Sequence, residues 1–349
     1  MRGVAAIVVL VAHSAQCFVW RLYGAGSYWE MASGWSARFA VLAFFLLSGR
    51  LITASIAANI KRNGRFEPID YLFSRVARLY PPLIFAVVLI LATVAIVQAF
   101  GLPGSNGTPL GTVRASGLSF SGTELAKCLL LYDGMTVVDG PLWTLYIEVK
   151  LYVAAGGIAL LAFGRSPVSR LIGAALVLAV IWTGPIHHRF WFFATIWCLG
   201  ALTNIQATTR PAIFAAAWAA AALACSITSV PIDYIDSRSG TALQVIGCAL
   251  LAYALLVRNW AEVDYPAWLA RTGDFSYTLY VSHFPVLALG LSLSLAVAPT
   301  SVTAAAVAAL LSASAALLIA IVAARPLENT AAYKRALKRC LAAEPSWAA

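Results

Sequence analysis

The sequence predicts an all-α, polytopic integral membrane protein of about ten transmembrane helices with both termini cytoplasmic. Three observations carry that expectation. Hydrophobic residues make up 61% of the chain and charged residues 11%, with a mean hydropathy of +0.84, which leaves too little polar surface to clothe a soluble core of 349 residues. Apolar runs close to the ~20 residues needed to cross a bilayer recur along the whole chain. Lysine and arginine collect between these runs and form no stripe interleaved with stacking aromatics, so the net charge of +10 reads as a topology signal and excludes a nucleic-acid surface.

The runs fall near residues 4–22, 36–58, 81–100, 142–164, 171–187, 190–206, 211–230, 241–257, 274–296 and 302–324, with ends good to about 2–4 residues. The first has a signal peptide as its alternative, since Arg2 precedes the apolar core and Ser14 and Ala15 follow it. Against that, His13 interrupts the core and no good cleavage pattern follows. With Arg2 inside, sixteen lysines and arginines share its side, among them Lys61, Arg62, Arg65, Arg75 and Arg78. Only Arg21, Arg114, Lys127, Arg189 and Arg238 fall opposite, a clear positive-inside bias. The Gly/Pro/Ser/Thr-rich segment 101–141 is expected to form an outer loop with short structured pieces. Residues 1–325 read as one membrane domain without internal repeats, and 326–349 as a short basic cytoplasmic tail suited to a membrane-surface helix.

Several chemistries find no support. The six cysteines are scattered without a Cys-x-x-Cys pair, so neither a disulfide framework nor a zinc site is expected. The histidines lack His-x-x-x-His spacing and a nearby acidic ligand set, and no metal is expected. There is no Gly-x-Ser-x-Gly elbow and no glycine-rich phosphate loop.

Polar residues at membrane depth are few and therefore informative. Arg2 and His13 bracket RGVAAIVVLVAH; eleven residues turn a helix about 20° past three full turns, so both project from one face roughly 16 Å apart. A topological arginine and a packing histidine would look the same. Glu148 in LWTLYIEVKLYV must pair, protonate or line a wet cavity. Lys150, two positions on, faces elsewhere, whereas Tyr152 lies one turn away and is able to donate to the carboxylate. In FFLLSGRLIT, Ser48 and Gly49 permit close helix approach, and Arg50 sits deep enough either to bind an anion or to snorkel. Arg75 and Arg78 in FSRVARLYPP share a face just before Pro81 and Pro82, which suits phosphate recognition and topological anchoring alike. His283 in SYTLYVSHFPV is a second intramembrane histidine, while His187 and His188 sit at an outer turn and need no role.

These five segments, in order and approximate spacing, resemble the integral-membrane acyltransferase family 3, the bacterial O-acetyltransferase-like proteins, over residues 2–325. The family's arginine, ten-residue gap and histidine fall on Arg2 and His13, and its acidic position after Leu-Trp falls on Glu148. The resemblance implies a ten-helix domain in the bacterial cytoplasmic membrane. Such a domain takes an acyl group, usually acetyl, from cytoplasmic acyl-CoA to a carbohydrate hydroxyl, with no tightly bound cofactor. Two departures stand out: Arg2 directly follows Met1 where the family has a short leader, which leaves an upstream start open, and Arg50 replaces an aromatic or aliphatic residue after Ser-Gly.

Thioester-to-hydroxyl transfer needs a base for the hydroxyl proton and positive or donor groups for the developing oxyanion. His13 is the candidate base, or a transient acyl carrier. Arg2, Arg75 and Arg78, with Arg50 and Ser48, would hold the donor. Glu148 would orient the acceptor hydroxyl or His13, with His283, Tyr152 and Lys150 as supporting groups. A carbohydrate or lipid-linked glycan is the expected acceptor. The competing expectation is a secondary transporter or glycan flippase using Glu148, His13 and Arg50 as a relay, against which no matching halves are found. A third is an inactive homologue that senses acyl-CoA.

Overall fold

The computed structural model describes residues 1–24, 26–108, 110, 117–184, 190–204, 238–257 and 266–342. Within them the protein is entirely helical: α1 (Arg2–Tyr23), α2 (Tyr28–Asn63), α3 (Pro68–Ala99), α4 (Gly122–Leu129), α5 (Leu142–Phe163), α6 (Pro167–Thr183), α7 (Phe190–Leu202), α8 (Arg238–Val257), α9 (Ala267–Arg271), α10 (Ser276–Val297), α11 (Val302–Leu327) and α12 (Thr330–Ala342). Six continuous helical stretches are long and apolar enough to span a membrane; α6, α7 and the apolar part of α8 are shorter. Nine of the ten expected runs thus lie wholly or for the most part on described helices, while residues 185–187 and 205–206 of two of them and the whole run at 211–230 lie outside the described residues.

Hydropathy locates these helices but misplaces some ends. The third span does not open at Pro81: α3 starts at Pro68 and carries both prolines inside it, so Arg75 and Arg78 belong to the spanning helix itself. Each proline lacks an N–H and frees the carbonyl four residues back, here those of Ala77 and Arg78. Within α1 the helix widens over Ala15–Val19, starting two residues after His13, the kind of single wide turn found at functional sites.

Helix α1 is central, packed against α2, α10 and α11. Glycine decides the closest crossings. A Cβ on Gly49 would stand 1.9 Å from the Trp197 carbonyl oxygen, and one on Gly200 would stand 1.7 Å from that of Leu46, so α2 and α7 meet backbone to backbone. That crossing fixes Ser48, next to Gly49, at the inner face of α2.

The described parts of segment 101–141 carry short structured pieces, as expected, and are packed against the helices. Ser121 and Glu124 form a reciprocal cap on α4, Leu118, Met135, Val138 and Asp139 are buried, and Ser292 donates to the Pro103 carbonyl at 2.5 Å. Asp139 is fully buried, neither carboxylate oxygen is bonded to a described group, and burial pushes its carboxyl well above the usual range. At the other end, α12 lies along the start of α3, where Lys334 and Lys338 reach Asp70 at 2.9 and 2.6 Å.

Candidate active site

Helices α1, α2, α5 and α10 enclose a narrow cavity of about 30 Å³ lined by Arg2, Phe44, Ser48, Thr144, Glu148, Tyr277 and Tyr280, room for about one water. Its length is greater than its width suggests, because it touches α2 from Val41 to Ser48, seven residues or roughly 10 Å of helix. Arg2 at one end lies within electrostatic range of Glu148, Arg78 and Glu328. The Glu148 carboxylate accepts hydrogen bonds from Ser48 Oγ at 2.7 Å and Tyr152 Oη at 2.5 Å, both on the same oxygen. The Tyr152 bond is the one its position one turn from Glu148 predicts.

Towards the other end, Thr144 and Tyr280 share a 2.5 Å hydrogen bond, and the Tyr280 ring lies 6.3 Å from that of His283. His283 meets His13. Nδ1 of His13 is 2.8 Å from Nε2 of His283, the rings are inclined by only 14°, and their centroids are 5.1 Å apart. Two rings lying side by side and joined through their edge nitrogens have this separation; the pair is hydrogen-bonded edge to edge. The second nitrogen of His283, Nδ1, lies 3.0 Å from the Leu279 carbonyl oxygen. Both histidines are buried, at 5% and 1% exposure, so this polar chain is shielded from bulk solvent. The arrangement is a file of polar groups running beside α1, with cations and a carboxylate at one end and a histidine pair about 16 Å away.

A family model described as an acyltransferase domain matches residues 1–325. The chain belongs to acyltransferase family 3. No curated protein and no solved structure gives a match. With its spanning helices, the protein is a membrane acyltransferase.

The acyltransferase brings some of its expected site residues together and sends others elsewhere. Arg2, Ser48, Glu148 and Tyr152 converge, with Arg78 within electrostatic range of Tyr152 and Arg2. Glu148 accepts from Ser48 and Tyr152, and the partner shown for His13 is His283. The cause is register: Thr144 already pairs with Tyr280, so Glu148, one turn further along α5, lies on the Arg2 side of that level. Arg75 is held between the Tyr71 and Tyr152 rings, 5.4 and 5.6 Å from their centres, and donates to Ser55 Oγ at 3.0 Å.

Two candidates are engaged outside the cavity. Arg50 donates to the carbonyl and hydroxyl oxygens of Thr203 at 3.2 and 3.0 Å, capping the end of α7, and Asn204 donates to its backbone carbonyl. A cation suits the negative end of a helix, and in this structure the Arg50 guanidinium is engaged there. Lys150 donates to the Thr183 carbonyl at 2.5 Å, at the end of α6, and lies over the Tyr132 ring; it supports that helix end and not Glu148. His187 and His188 lie outside the described residues.

Tyr277, Thr144 and Glu328 join the site without having been singled out from sequence. Tyr277, Tyr280 and Phe284 recur at three and four residues around His283, a spacing that puts them on one face of α10. Glu328 accepts from the Thr278 backbone N–H at 2.8 Å, tying the end of α11 to the start of α10, and no local pattern announces that bond.

Proposed function

We propose that this acyltransferase moves an acyl group, acetyl by family resemblance, from cytoplasmic acyl-CoA to a hydroxyl of a carbohydrate or glycoconjugate, in a bacterial cytoplasmic membrane. The observation that carries the reading is the polar file itself: a narrow cavity flanked by arginines at one end and approaching a buried histidine pair at the other. Arg2 and Arg78 supply the charge that a pyrophosphate requires at the inner end.

The chemistry then follows from what each group is able to do. His13 takes the acceptor hydroxyl proton as its oxygen attacks the thioester carbonyl carbon. The tetrahedral intermediate collapses, the C–S bond breaks, and the departing thiolate takes a proton from the His13 imidazolium. Glu148, held by Ser48 and Tyr152, places a carboxylate within electrostatic range of Arg2. A transporter using the same polar groups would leave its substrate chemically unchanged. Mass spectrometry of the surface glycan from cells with and without this protein tests the reading. An acyl substituent present only with the protein is expected; identical acylation in both would refute it.

A further inference from the structure

We infer that His283 is a positioning residue that fixes the tautomer of His13, leaving the lone pair of His13 on Nε2, where a base needs it. The inference rests on the reading of His13 as the base and adds what makes it one. The Leu279 oxygen is only an acceptor, so the His283 Nδ1 that faces it at 3.0 Å carries the hydrogen. His283 is 1% exposed and bonded to a carbonyl and a second imidazole, with no described carboxylate to balance an imidazolium, and a buried unpaired charge is costly. The neutral ring has one hydrogen, already on Nδ1, so its Nε2 presents a lone pair. His13 Nδ1, 2.8 Å away, must then be the donor. The neutral His13 ring in turn has its lone pair on Nε2. The opposite tautomer of His13 would set two lone pairs against each other at 2.8 Å, and reversing both rings would do the same at Leu279.

The near-coplanar rings add direction to this choice, since a 14° inclination keeps the Nδ1–H of His13 aimed along the Nε2 lone pair. The Phe284 edge, at 87° and 5.9 Å from the His13 ring, closes the adjacent side. When Nε2 of His13 takes the hydroxyl proton, the positive charge spreads to Nδ1–H, and the His283 lone pair is already aligned to accept a stronger hydrogen bond. No second proton has to move, and the proton on Nε2 returns to the thiolate when the C–S bond breaks.

Nitrogen-15 NMR of histidine-labelled protein reads the tautomer directly. His13 is expected to carry its hydrogen on Nδ1 with a bare Nε2; the reverse assignment overturns the inference whether or not the chain transfers acyl groups. Kinetics supply the second test, with labelled acetyl-CoA as donor. His283→Phe, which keeps the ring and loses the acceptor, is expected to lower kcat on the order of 10²-fold with KM for acetyl-CoA unchanged. His283→Gln, whose amide oxygen is able to accept from His13, is expected to recover at least tenfold of that loss. A wild-type kcat in His283→Phe, or a Gln variant as slow as the Phe variant, would overturn the positioning role. Failure of the underlying reading looks different: His13→Ala would then transfer acetyl at the wild-type rate. If His283→Phe does not fold, the NMR measurement on the unaltered protein decides alone.

Discussion

Replacing Gly49 with alanine tests whether the α2–α7 crossing sets the active-site geometry. The new Cβ would stand 1.9 Å from the Trp197 carbonyl oxygen and 2.9 Å from the Ala201 nitrogen, both backbone atoms that no rotamer change removes. Ordinary contact begins near 3.4 Å, so the two helices must separate by about 1.5 Å at this level. Ser48, the next residue, holds Glu148 at 2.7 Å, and a displacement of that size breaks the bond or drags the carboxylate with it. Misplacing a reacting constellation by about 1 Å costs on the order of 10²-fold in rate, and overpacking costs about 1–3 kcal/mol of stability. Gly157→Ala is the control. Its Cβ would meet the Gly173 oxygen at 2.9 Å, between α5 and α6 and away from the cavity lining, so a shift of about 0.5 Å and little loss of rate are expected. The assay is acetyl transfer from labelled acetyl-CoA beside thermal unfolding in the same detergent. A folded Gly49→Ala protein with wild-type kcat would refute the claim that this crossing positions Ser48 and Glu148.

Two further outcomes follow from residues outside the cavity. Arg50→Met removes two hydrogen bonds at the end of α7 and is expected to lower stability by about 1–3 kcal/mol while leaving KM for the donor unchanged; a raised KM would return Arg50 to the donor site. Asp139 makes stability fall as pH rises. The unfolded chain ionises near the ordinary value of about 3.9, while the folded carboxyl holds its proton well above it, so above that value the folded state binds more protons. Asp139→Asn is therefore expected to unfold at a higher temperature than wild type near pH 7 and to lose that advantage below about pH 4; melting curves of equal pH slope would contradict this.

What sequence made legible was local. Hydropathy located nine helices, helical geometry put Arg2 and His13 on one stripe, Ser48 and Gly49 announced a close crossing, and one-turn spacing paired Tyr152 with Glu148. The misses are contacts set by tertiary register. His13 and His283 are 270 residues apart, and nothing in either helix encodes their meeting. Glu148 was expected to orient the acceptor hydroxyl or His13, and its level depends on how α5 slides against α10, where Thr144 bonds Tyr280. Sequence left Arg50 open between anion binding and snorkelling and did not show Thr203 of α7 as its partner, and the Arg75 guanidinium lies between two tyrosine rings one of which is on another helix. In each case residue type was informative and partner was not, because a side chain's periodicity gives its face while only the packed helices give what stands opposite.

The most direct measurement is acetyl transfer by the purified protein in lipid vesicles, with labelled acetyl-CoA as donor and the unacylated form of the surface glycan as acceptor, comparing wild type with His13→Ala. The account predicts transfer by the wild-type protein and none above background in a folded, membrane-inserted His13→Ala protein. Transfer at the wild-type rate without His13 would contradict it.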